Sequence, residues 1–271
     1  MATIFAITNQ KGGVGKTTTS VNLAASLAAT KRRILLIDLD PQGNATMGCG
    51  VDKNAVDYSV YDVLVGQRGI AETAVPTPES GFDVLPANQD LTAAEVELIN
   101  EIGREFRLRE ALTPIADQYD YVLIDCPPSL NMLTVNALAA AQGVIIPMQC
   151  EYYALEGLTA LLNTVNRVTQ LINPTLRIEG ILRTMFDGRN SLTNQVTDEL
   201  RQHFGDKLYS TVIPRNVRLA EAPSHGLPVL YYDKQSKGAL AYLALAGEIL
   251  RRAQRSNNDN PQEQQVEPIN G

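Results

Sequence analysis

Short apolar runs alternate with amphipathic stretches along most of the chain. The runs are continuous in apolar character rather than alternating with polar positions, which is typical of strands buried on both faces of a parallel sheet. They predict strands at residues 4–8, 34–39, 121–124, 143–148, 177–184 and 208–213. The first two strands and the stretch between them form a βαβ unit, whose crossover is right-handed in almost all proteins.

The amphipathic stretches place apolar residues at helical spacing and predict helices at residues 17–29, 130–141, 155–171, 192–204 and 238–252. Strands and helices in alternation indicate an α/β fold with one doubly wound, mostly parallel sheet and helices on both faces. The segment 51–118 is harder to interpret. It holds short helical patterns at 60–65 and 91–102 and a possible strand at 82–85, and we treat it as an elaboration of the same domain.

The last sixteen residues differ from the rest of the chain in composition. Residues 256–271 are polar, rich in Asn and Gln, and nearly free of large apolar groups. Such a segment cannot bury enough apolar surface to offset the entropy of ordering, so we expect a disordered tail. The predicted organisation is therefore one domain over residues 1–255 and a tail over 256–271.

Charge and composition narrow the function classes. The 271 residues carry a net charge of −7, from 30 acidic and 23 basic side chains, which excludes a protein that is basic all over. A nucleic-acid contact would need a local basic patch. No apolar run reaches the length of a membrane-spanning helix, and residues 1–9 lack the pattern of a secretory leader, so we expect a cytoplasmic protein. Three scattered cysteines and two histidines predict buried free thiols and no Cys/His metal site.

The segment K-G-G-V-G-K-T-T, between the first predicted strand and helix, matches a P-loop. Gln10 stands where the usual pattern begins with glycine, but the end of the motif is intact. The glycines let backbone N–H groups approach a polyphosphate, and the following helix points its N-terminus at the same anion. Lys16 would carry the charge for the β- and γ-phosphates, and the Thr17 hydroxyl would bind Mg²⁺. The predicted nucleotide-binding residues here are Lys11, Gly12, Gly13, Val14, Gly15, Lys16, Thr17 and Thr18.

Three carboxylates lie at predicted strand ends. Asp38 and Asp40 follow the second strand, and Asp125 ends the strand that begins at Tyr121. An open parallel sheet places its ligands at the carboxyl ends of its strands. Asp125 therefore has the position of a Walker B aspartate, which holds Mg²⁺ through its water shell.

Four segments together resemble one family. The segments are K-G-G-V-G-K-T-T, L-L-I-D-L-D-P-Q-G-N at 35–44, Y-V-L-I-D-C-P-P-S-L at 121–130 and P-R-N-V-R-L-A-E-A-P-S-H-G at 214–226. They resemble the ParA/Soj chromosome- and plasmid-partitioning ATPases, a deviant Walker A group of P-loop proteins that includes MinD. The resemblance covers residues 2 to 253. It implies ATP and Mg²⁺ as cofactors and slow hydrolysis until a partner completes the site.

The resemblance also implies roles for individual residues. Lys11, the second lysine of the loop, would serve the nucleotide of the opposite subunit in a dimer. Without the resemblance, Lys11 is either a solvated charge or a further cation for phosphate. Asp40 would orient the attacking water, and Asp38 would lie near the magnesium. The residues that match the adenine-contacting loop of the family are Pro214, Arg215 and Asn216; without the resemblance, Asn216 is an ordinary helix N-cap.

DNA and protein partners are implied in the same way. Residues 177–218 hold seven basic and five acidic side chains, a local charge of +2, which alone indicates only a solvated face. ParA proteins bind double-stranded DNA without sequence preference as ATP-bound homodimers, and Arg183, Arg189 and Arg218 match the region of that contact. A ParB-type protein would stimulate hydrolysis through its N-terminal segment. The expected location is therefore the cytoplasm, in association with the nucleoid.

Other functions on the same core remain open from the sequence. A MinD-like membrane-cycling ATPase would need a C-terminal amphipathic helix, whereas the tail here is polar. A nitrogenase-type iron protein would need cysteines placed to bridge a cluster. An ATP-dependent ligase acting on a small acid would need a substrate pocket, and a nucleotide-locked binding module would hardly hydrolyse ATP. No helix-turn-helix segment precedes the P-loop, so we expect no operator-specific binding.

Overall fold

The computed structural model describes residues 2–151 and 154–258, and these contain one eight-stranded sheet. The strand order is β3-β4-β2-β5-β1-β6-β7-β8, and all neighbours are parallel except β3 and β4. The strands are β1 (Thr3–Ile7), β2 (Ile34–Asp38), β3 (Val75–Pro76), β4 (Asp83–Leu85), β5 (Tyr121–Asp125), β6 (Gly143–Gln149), β7 (Arg177–Phe186) and β8 (Leu208–Pro214).

Helices lie on both faces of this sheet, as predicted. They are α1 (Lys16–Ala28), α2 (Asn44–Gly48), α3 (Val60–Leu64), α4 (Ile70–Thr73), α5 (Leu91–Glu97), α6 (Arg107–Leu112), α7 (Met132–Ala140), α8 (Ala154–Leu171), α9 (Ser191–Phe204), α10 (Val217–Glu221), α11 (Val229–Tyr232) and α12 (Lys237–Asn258). Short 3₁₀ turns join several of them. None of the described helices is both long and apolar enough to cross a membrane.

The central strand shows why two cores form. Ile4 and Ala6 belong to one hydrophobic cluster, whereas Phe5 and Ile7 belong to another. Successive side chains of a strand point to opposite faces, so a run that is apolar throughout packs against both layers of helices. The doubly wound, mostly parallel α/β fold is confirmed, and β1 delivers the P-loop to the middle of the carboxyl edge.

The structure differs from the predicted elements in several places. The final helix α12 reaches Asn258, six residues past its predicted end, because no proline or glycine interrupts residues 253–258. The stretch 91–102 is α5 followed by a 3₁₀ turn instead of one helix. Within 51–118, β4 extends the sheet by pairing with β2, and α4, α6 and β3 had no predicted counterpart. Residues 259–271 of the predicted tail lie outside the described residues, so the division at 255/256 stays a prediction.

Candidate functional site

The P-loop joins β1 to α1 with two glycines in the left-handed region. Gly13 has a φ of 74° and Gly15 a φ of 87°, which side chains with a Cβ rarely adopt. Helix α1 begins at Lys16, and Gly15 provides no side chain to cap it. The N–H groups of the first turn of this 13-residue helix therefore face the loop, which suits a bound anion.

Lys16 lies folded into this loop. It is buried, and its ammonium group donates a 3.3 Å hydrogen bond to the carbonyl oxygen of Lys11. Burial lowers the pKa of Lys16, while the negative charges of nearby carboxylates, chiefly that of Asp125, oppose the shift. The cation is thus held at the centre of the loop, hydrogen-bonded to no carboxylate of the described residues, a position from which it can meet phosphate oxygens.

Asp125 is hydrogen-bonded to two hydroxyls of α1. Thr17 Oγ1 donates to Asp125 Oδ2 at 2.8 Å, and Ser20 Oγ donates to Oδ1 at 2.7 Å. Asp38 and Asp125 are paired in register across β2 and β5, and both are fully buried. Burial is the main cause that raises the pKa of each of these carboxyls. For Asp125, the negative charge of Asp38 is the next cause that raises the pKa. Sequence reasoning missed Ser20, although its place one helical turn after Thr17 puts both hydroxyls on one face.

The carboxylate of Asp38 accepts hydrogen bonds from nearby residues of its own chain. Its Oδ2 accepts 2.8 Å hydrogen bonds from both the backbone N–H and the hydroxyl of Thr46, and its Oδ1 accepts one from the N–H of Asp40. Asp40 is half-buried, and its own carboxylate accepts a hydrogen bond from the N–H of Gln42. Through these hydrogen bonds, Asp38 fixes the position of the loop that carries Asp40.

Lys11 is paired outside the P-loop. Its ammonium group lies 2.7 Å from Glu151 Oε2, and both side chains are well exposed. Its backbone N–H donates to Asn9 Oδ1, and the amide of Asn9 donates to the carbonyl oxygen of Pro147. The loop start is therefore anchored to the end of β6 through Asn9, while the Lys11 side chain pairs with a carboxylate on the surface.

A cavity of about 210 Å³ brings the two predicted parts of the nucleotide site together. Gly15 and Thr18 line one side, and the predicted base-contacting residues Pro214, Arg215 and Asn216 line the other. Asn216 also caps α10, because its Oδ1 accepts a hydrogen bond from the N–H of Arg218. The remaining lining residues, none of them found by sequence reasoning, are Thr184, Met185, Ile213, Leu219, Ala220 and Tyr242.

The three arginines predicted to contact DNA have different surroundings. Arg183 is only 6% exposed, and its guanidinium donates to the carbonyl oxygens of Tyr209 and Ser210 on β8. A buried guanidinium bound to the neighbouring strand is poorly placed to face a DNA backbone, so the structure favours Arg189 and Arg218 over Arg183 for this contact. Arg189 and Arg218 are exposed, with 91% and 46% of their side chains accessible.

Each exposed arginine has an acidic neighbour. The Arg189 guanidinium donates two hydrogen bonds to Asp187 in its own loop, at 2.9 and 2.7 Å. These bonds and one from the Arg189 N–H lower the pKa of Asp187 to about 2. Arg218 lies 2.7 Å from Glu221 and 3.4 Å from Asp233.

The remaining metal and thiol chemistry is limited. The described residues contain no group of three or more His, Cys, Asp and Glu side chains that could hold a metal ion by themselves. All three cysteines are free and buried, as predicted. A magnesium site here would have few protein ligands, which is usual for Mg²⁺ bound together with substrate phosphates.

A glycine-rich loop between a central parallel strand and a helix, with a helix hydroxyl hydrogen-bonded to a strand-end aspartate, defines a P-loop nucleotide hydrolase. Residues 2–178 match a family model described as an AAA domain. The chain is 56% identical over 249 residues to the sporulation initiation inhibitor protein Soj of Bacillus subtilis, covering 92% of this chain and 98% of Soj. It is 55% identical over 249 residues to the chromosome partitioning protein ParA of Myxococcus xanthus, covering 92% and 88%. The chain belongs to the ParA/Soj family of chromosome-partitioning ATPases.

Solved structures agree with this assignment of the fold. A structure described as cobyrinic acid a,c-diamide synthase from Mycobacterium smegmatis with bound ADP and magnesium has a TM-score of 0.84 at 38% identity, covering 95% of this chain and 97% of that one. The septum site-determining protein MinD from Pyrococcus horikoshii with Mg-ADP has a TM-score of 0.77 at 25% identity, covering 93% and 98%. MinD is thus the more distant relative.

Proposed function

We propose that this protein is an ATP-dependent DNA-partitioning ATPase. ATP with Mg²⁺ binds at the P-loop and drives a sandwich dimer, the dimer binds double-stranded DNA without sequence preference, and hydrolysis stimulated by a ParB-type partner releases it. The protein would act in the cytoplasm, in association with the nucleoid. The observation that carries the proposal is the 2.8 Å contact between Thr17 and Asp125 at the mouth of the P-loop.

The residues around this contact fit a magnesium–triphosphate complex. The Thr17 hydroxyl and the Asp125 carboxylate would hold Mg²⁺, Asp125 through water, with Asp38 behind them. The ion would neutralise charge on the β- and γ-phosphates. Lys16 and the N–H groups of the loop bind the same phosphates, and Asp40 orients the attacking water from its half-buried position. Hydrolysis is then mostly a matter of positioning and electrostatics.

The surroundings of Lys11 support a dimer-dependent site. An exposed ion pair such as Lys11–Glu151 contributes about 0–1 kcal/mol, so Lys11 can exchange its partner at little cost. The triphosphate in the opposite subunit of a dimer would be a stronger partner, because it carries several charges. Dimerisation would thereby depend on ATP.

The proposed DNA contact uses Arg189 and Arg218. They follow β7 and β8, close to the segment 214–216 that lines the base cavity. A DNA phosphate can replace the exposed carboxylate of Asp187 or Glu221 as the partner of either guanidinium. Two copies of the pair on one dimer would double the phosphate contacts, which makes binding steeply dependent on salt and on dimerisation.

The test is binding to a non-specific DNA duplex with ATP or ADP at two salt concentrations. We expect tight, salt-sensitive binding with ATP only, and its loss in Arg189→Glu. The matched control is Arg201→Glu on α9, whose exposed arginine also pairs with a nearby aspartate, Asp198. Binding that is absent with both nucleotides, or lost equally in the control, would contradict the proposed DNA function.

A ligase is the second candidate, and the M. smegmatis structural neighbour favours it. That neighbour is 38% identical, whereas the partitioning relatives are 55–56% identical over similar lengths, so partitioning has the stronger support. ATP turnover that depends on a small carboxylic acid and does not respond to DNA would favour the ligase. ATP-dependent binding to liposomes would instead favour a MinD-like cycle.

A further inference from the structure

The two oxygens of the Asp125 carboxylate have separate donors on helix α1. Thr17 Oγ1 donates to Oδ2 at 2.8 Å, and Ser20 Oγ donates to the other oxygen, Oδ1, at 2.7 Å. The two donors are three residues apart on α1, which places them on one face of the helix. The oxygen Oδ2 therefore faces the predicted magnesium ligand Thr17, while Ser20 holds the opposite side of the carboxylate.

The Ser20 hydroxyl is enclosed by protein. Ser20 is fully buried, and its Oγ lies 3.0 Å from the carbonyl oxygen of Lys16 as well as 2.7 Å from Asp125. A hydroxyl group carries one proton and can donate it fully to one of these acceptors. The carboxylate is both closer and charged, and hydrogen bonds to charged acceptors are the stronger ones. The Ser20 proton is therefore directed at Asp125.

This hydrogen bond fixes a torsion that the backbone leaves free. Asp125 ends β5, where it is paired in register with Ile7 of β1, so its Cα is held by the sheet. The last torsion of an aspartate side chain has only broad preferences, and the rotamer by itself does not set the direction of the carboxylate. A donor on Oδ1 opposes rotation of the carboxylate and keeps Oδ2 beside Thr17.

The hydroxyl of Thr17 and the carboxylate of Asp125 suit Mg²⁺, because this ion prefers oxygen ligands. We propose that Ser20 is a positioning residue for the magnesium site, since its hydrogen bond holds Asp125 in the orientation that receives the ion beside Thr17. Removing such a partner of a metal-binding side chain typically costs about ten- to a hundredfold in metal affinity or activity. This inference rests on the proposed function, because it assumes that Mg²⁺ binds at the P-loop together with the nucleotide.

The experiment measures how much Mg²⁺ the nucleotide complex needs. Binding of a fluorescent ADP analogue, which requires no turnover, is followed in EDTA and at rising Mg²⁺ concentrations for the wild type, Ser20→Ala and Ser20→Thr. We expect Ser20→Ala to raise the half-saturating Mg²⁺ concentration about tenfold or more. Its affinity for the analogue in EDTA should be unchanged, because the loop still binds the phosphates. Ser20→Thr keeps the hydroxyl and should recover the wild-type Mg²⁺ dependence.

Ser26→Ala is the matched control. Ser26 is also buried on α1, and its hydroxyl has no hydrogen-bond partner among the described residues. The substitution therefore removes a buried hydroxyl from the same helix without removing a donor to Asp125. This variant should show the wild-type Mg²⁺ dependence and the wild-type affinity in EDTA, and thermal unfolding of all variants verifies that they are folded.

Three results would overturn the inference. An unchanged half-saturating Mg²⁺ concentration in Ser20→Ala would show that Ser20 does not position Asp125. Equal weakening of the analogue in EDTA and in Mg²⁺ would give Ser20 a purely structural role in α1. The same shift in Ser20→Thr as in Ser20→Ala would show that the hydroxyl is not its cause. A wild type that does not bind the analogue at all would instead refute the proposed function itself, and this inference with it.

Discussion

The buried carboxylate of Asp38 accepts two 2.8 Å hydrogen bonds from Thr46, one from its backbone N–H and one from its hydroxyl. The same hydroxyl oxygen accepts a 3.0 Å hydrogen bond from the N–H of Ala87. One threonine thus ties α2 and the loop after β4 to the end of β2, where Asp40 begins the next loop. The position of Asp40 depends on this connection.

Thr46→Val should lower the free energy of unfolding by about 2 kcal/mol. The substitution preserves shape but removes one donor to a buried carboxylate and leaves the Ala87 N–H unpaired. Urea denaturation at pH 7 measures the change. Thr159→Val on α8 is the control, because its exposed hydroxyl donates to the carbonyl oxygen of Leu155 within the same helix. A loss no larger than that of the control would show that the Thr46 hydroxyl does not stabilise this junction.

Glu151→Gln should promote the ATP-dependent dimer without changing stability. The Lys11–Glu151 pair is exposed, so its loss should change the free energy of unfolding by less than about 1 kcal/mol. Freed from this partner, Lys11 meets the opposite nucleotide more readily, and dimers should form at lower protein concentration. Sedimentation velocity with ATP measures this effect. Lys11→Ala should abolish the dimer, and a normal dimer in that variant would exclude the proposed role of Lys11.

Arg183→Met should affect stability but not DNA binding. The guanidinium joins β7 to the carbonyl groups of Tyr209 and Ser210, and its loss should cost about 1–2 kcal/mol. Thermal unfolding measures the cost, and DNA binding is compared well below the melting temperature. Arg189→Glu should behave in the opposite way, with normal stability and weak DNA binding. Specific loss of DNA binding by a fully stable Arg183→Met would restore Arg183 to the DNA-contacting set.

Stability should fall in acid partly through Glu248. Burial alone would raise the pKa of this carboxyl, but hydrogen bonds from the N–H groups of Ser210 and Thr211 and from Arg252 outweigh it and lower the pKa below its ordinary value. The unfolded chain therefore takes up this proton first as pH falls. The stabilisation is complete above the ordinary glutamate pKa and is lost as pH falls through the lower folded pKa.

Glu248→Gln tests this linkage. At pH 7 the variant should be about 2 kcal/mol less stable than the wild type, because hydrogen bonds to a charged group are replaced by weaker ones. The difference should shrink between pH 5 and the acid unfolding transition, as measured by urea midpoints. A difference that stays constant over this range would mean that Glu248 does not contribute to the acid sensitivity.

Local patterns predicted the order of the main elements and the P-loop. Continuous apolar runs predicted the ends of β1, β2, β5 and β6 to within one or two residues, because a strand buried on both faces needs apolar side chains throughout. The apolar run that begins at Tyr121 also located Asp125 at its strand end. The segment 51–118 was less predictable, since its short elements depend on packing against the sheet and not on their own periodicity.

The sequence by itself determined the fold class, the family and the phosphate-binding chemistry, because these depend on short-range spacing within a few segments. Only the tertiary structure decided which polar groups meet. The local sequence does not distinguish Arg183 from an arginine on the surface. Its burial results from packing against β8, where its guanidinium donates to backbone carbonyl oxygens. Thr184 bonds to Val14 across 170 residues of sequence, and the cavity beside the P-loop is lined by residues from Gly15 to Tyr242. Such contacts join distant segments, whose register and distance are set by the packed sheet rather than by any local pattern.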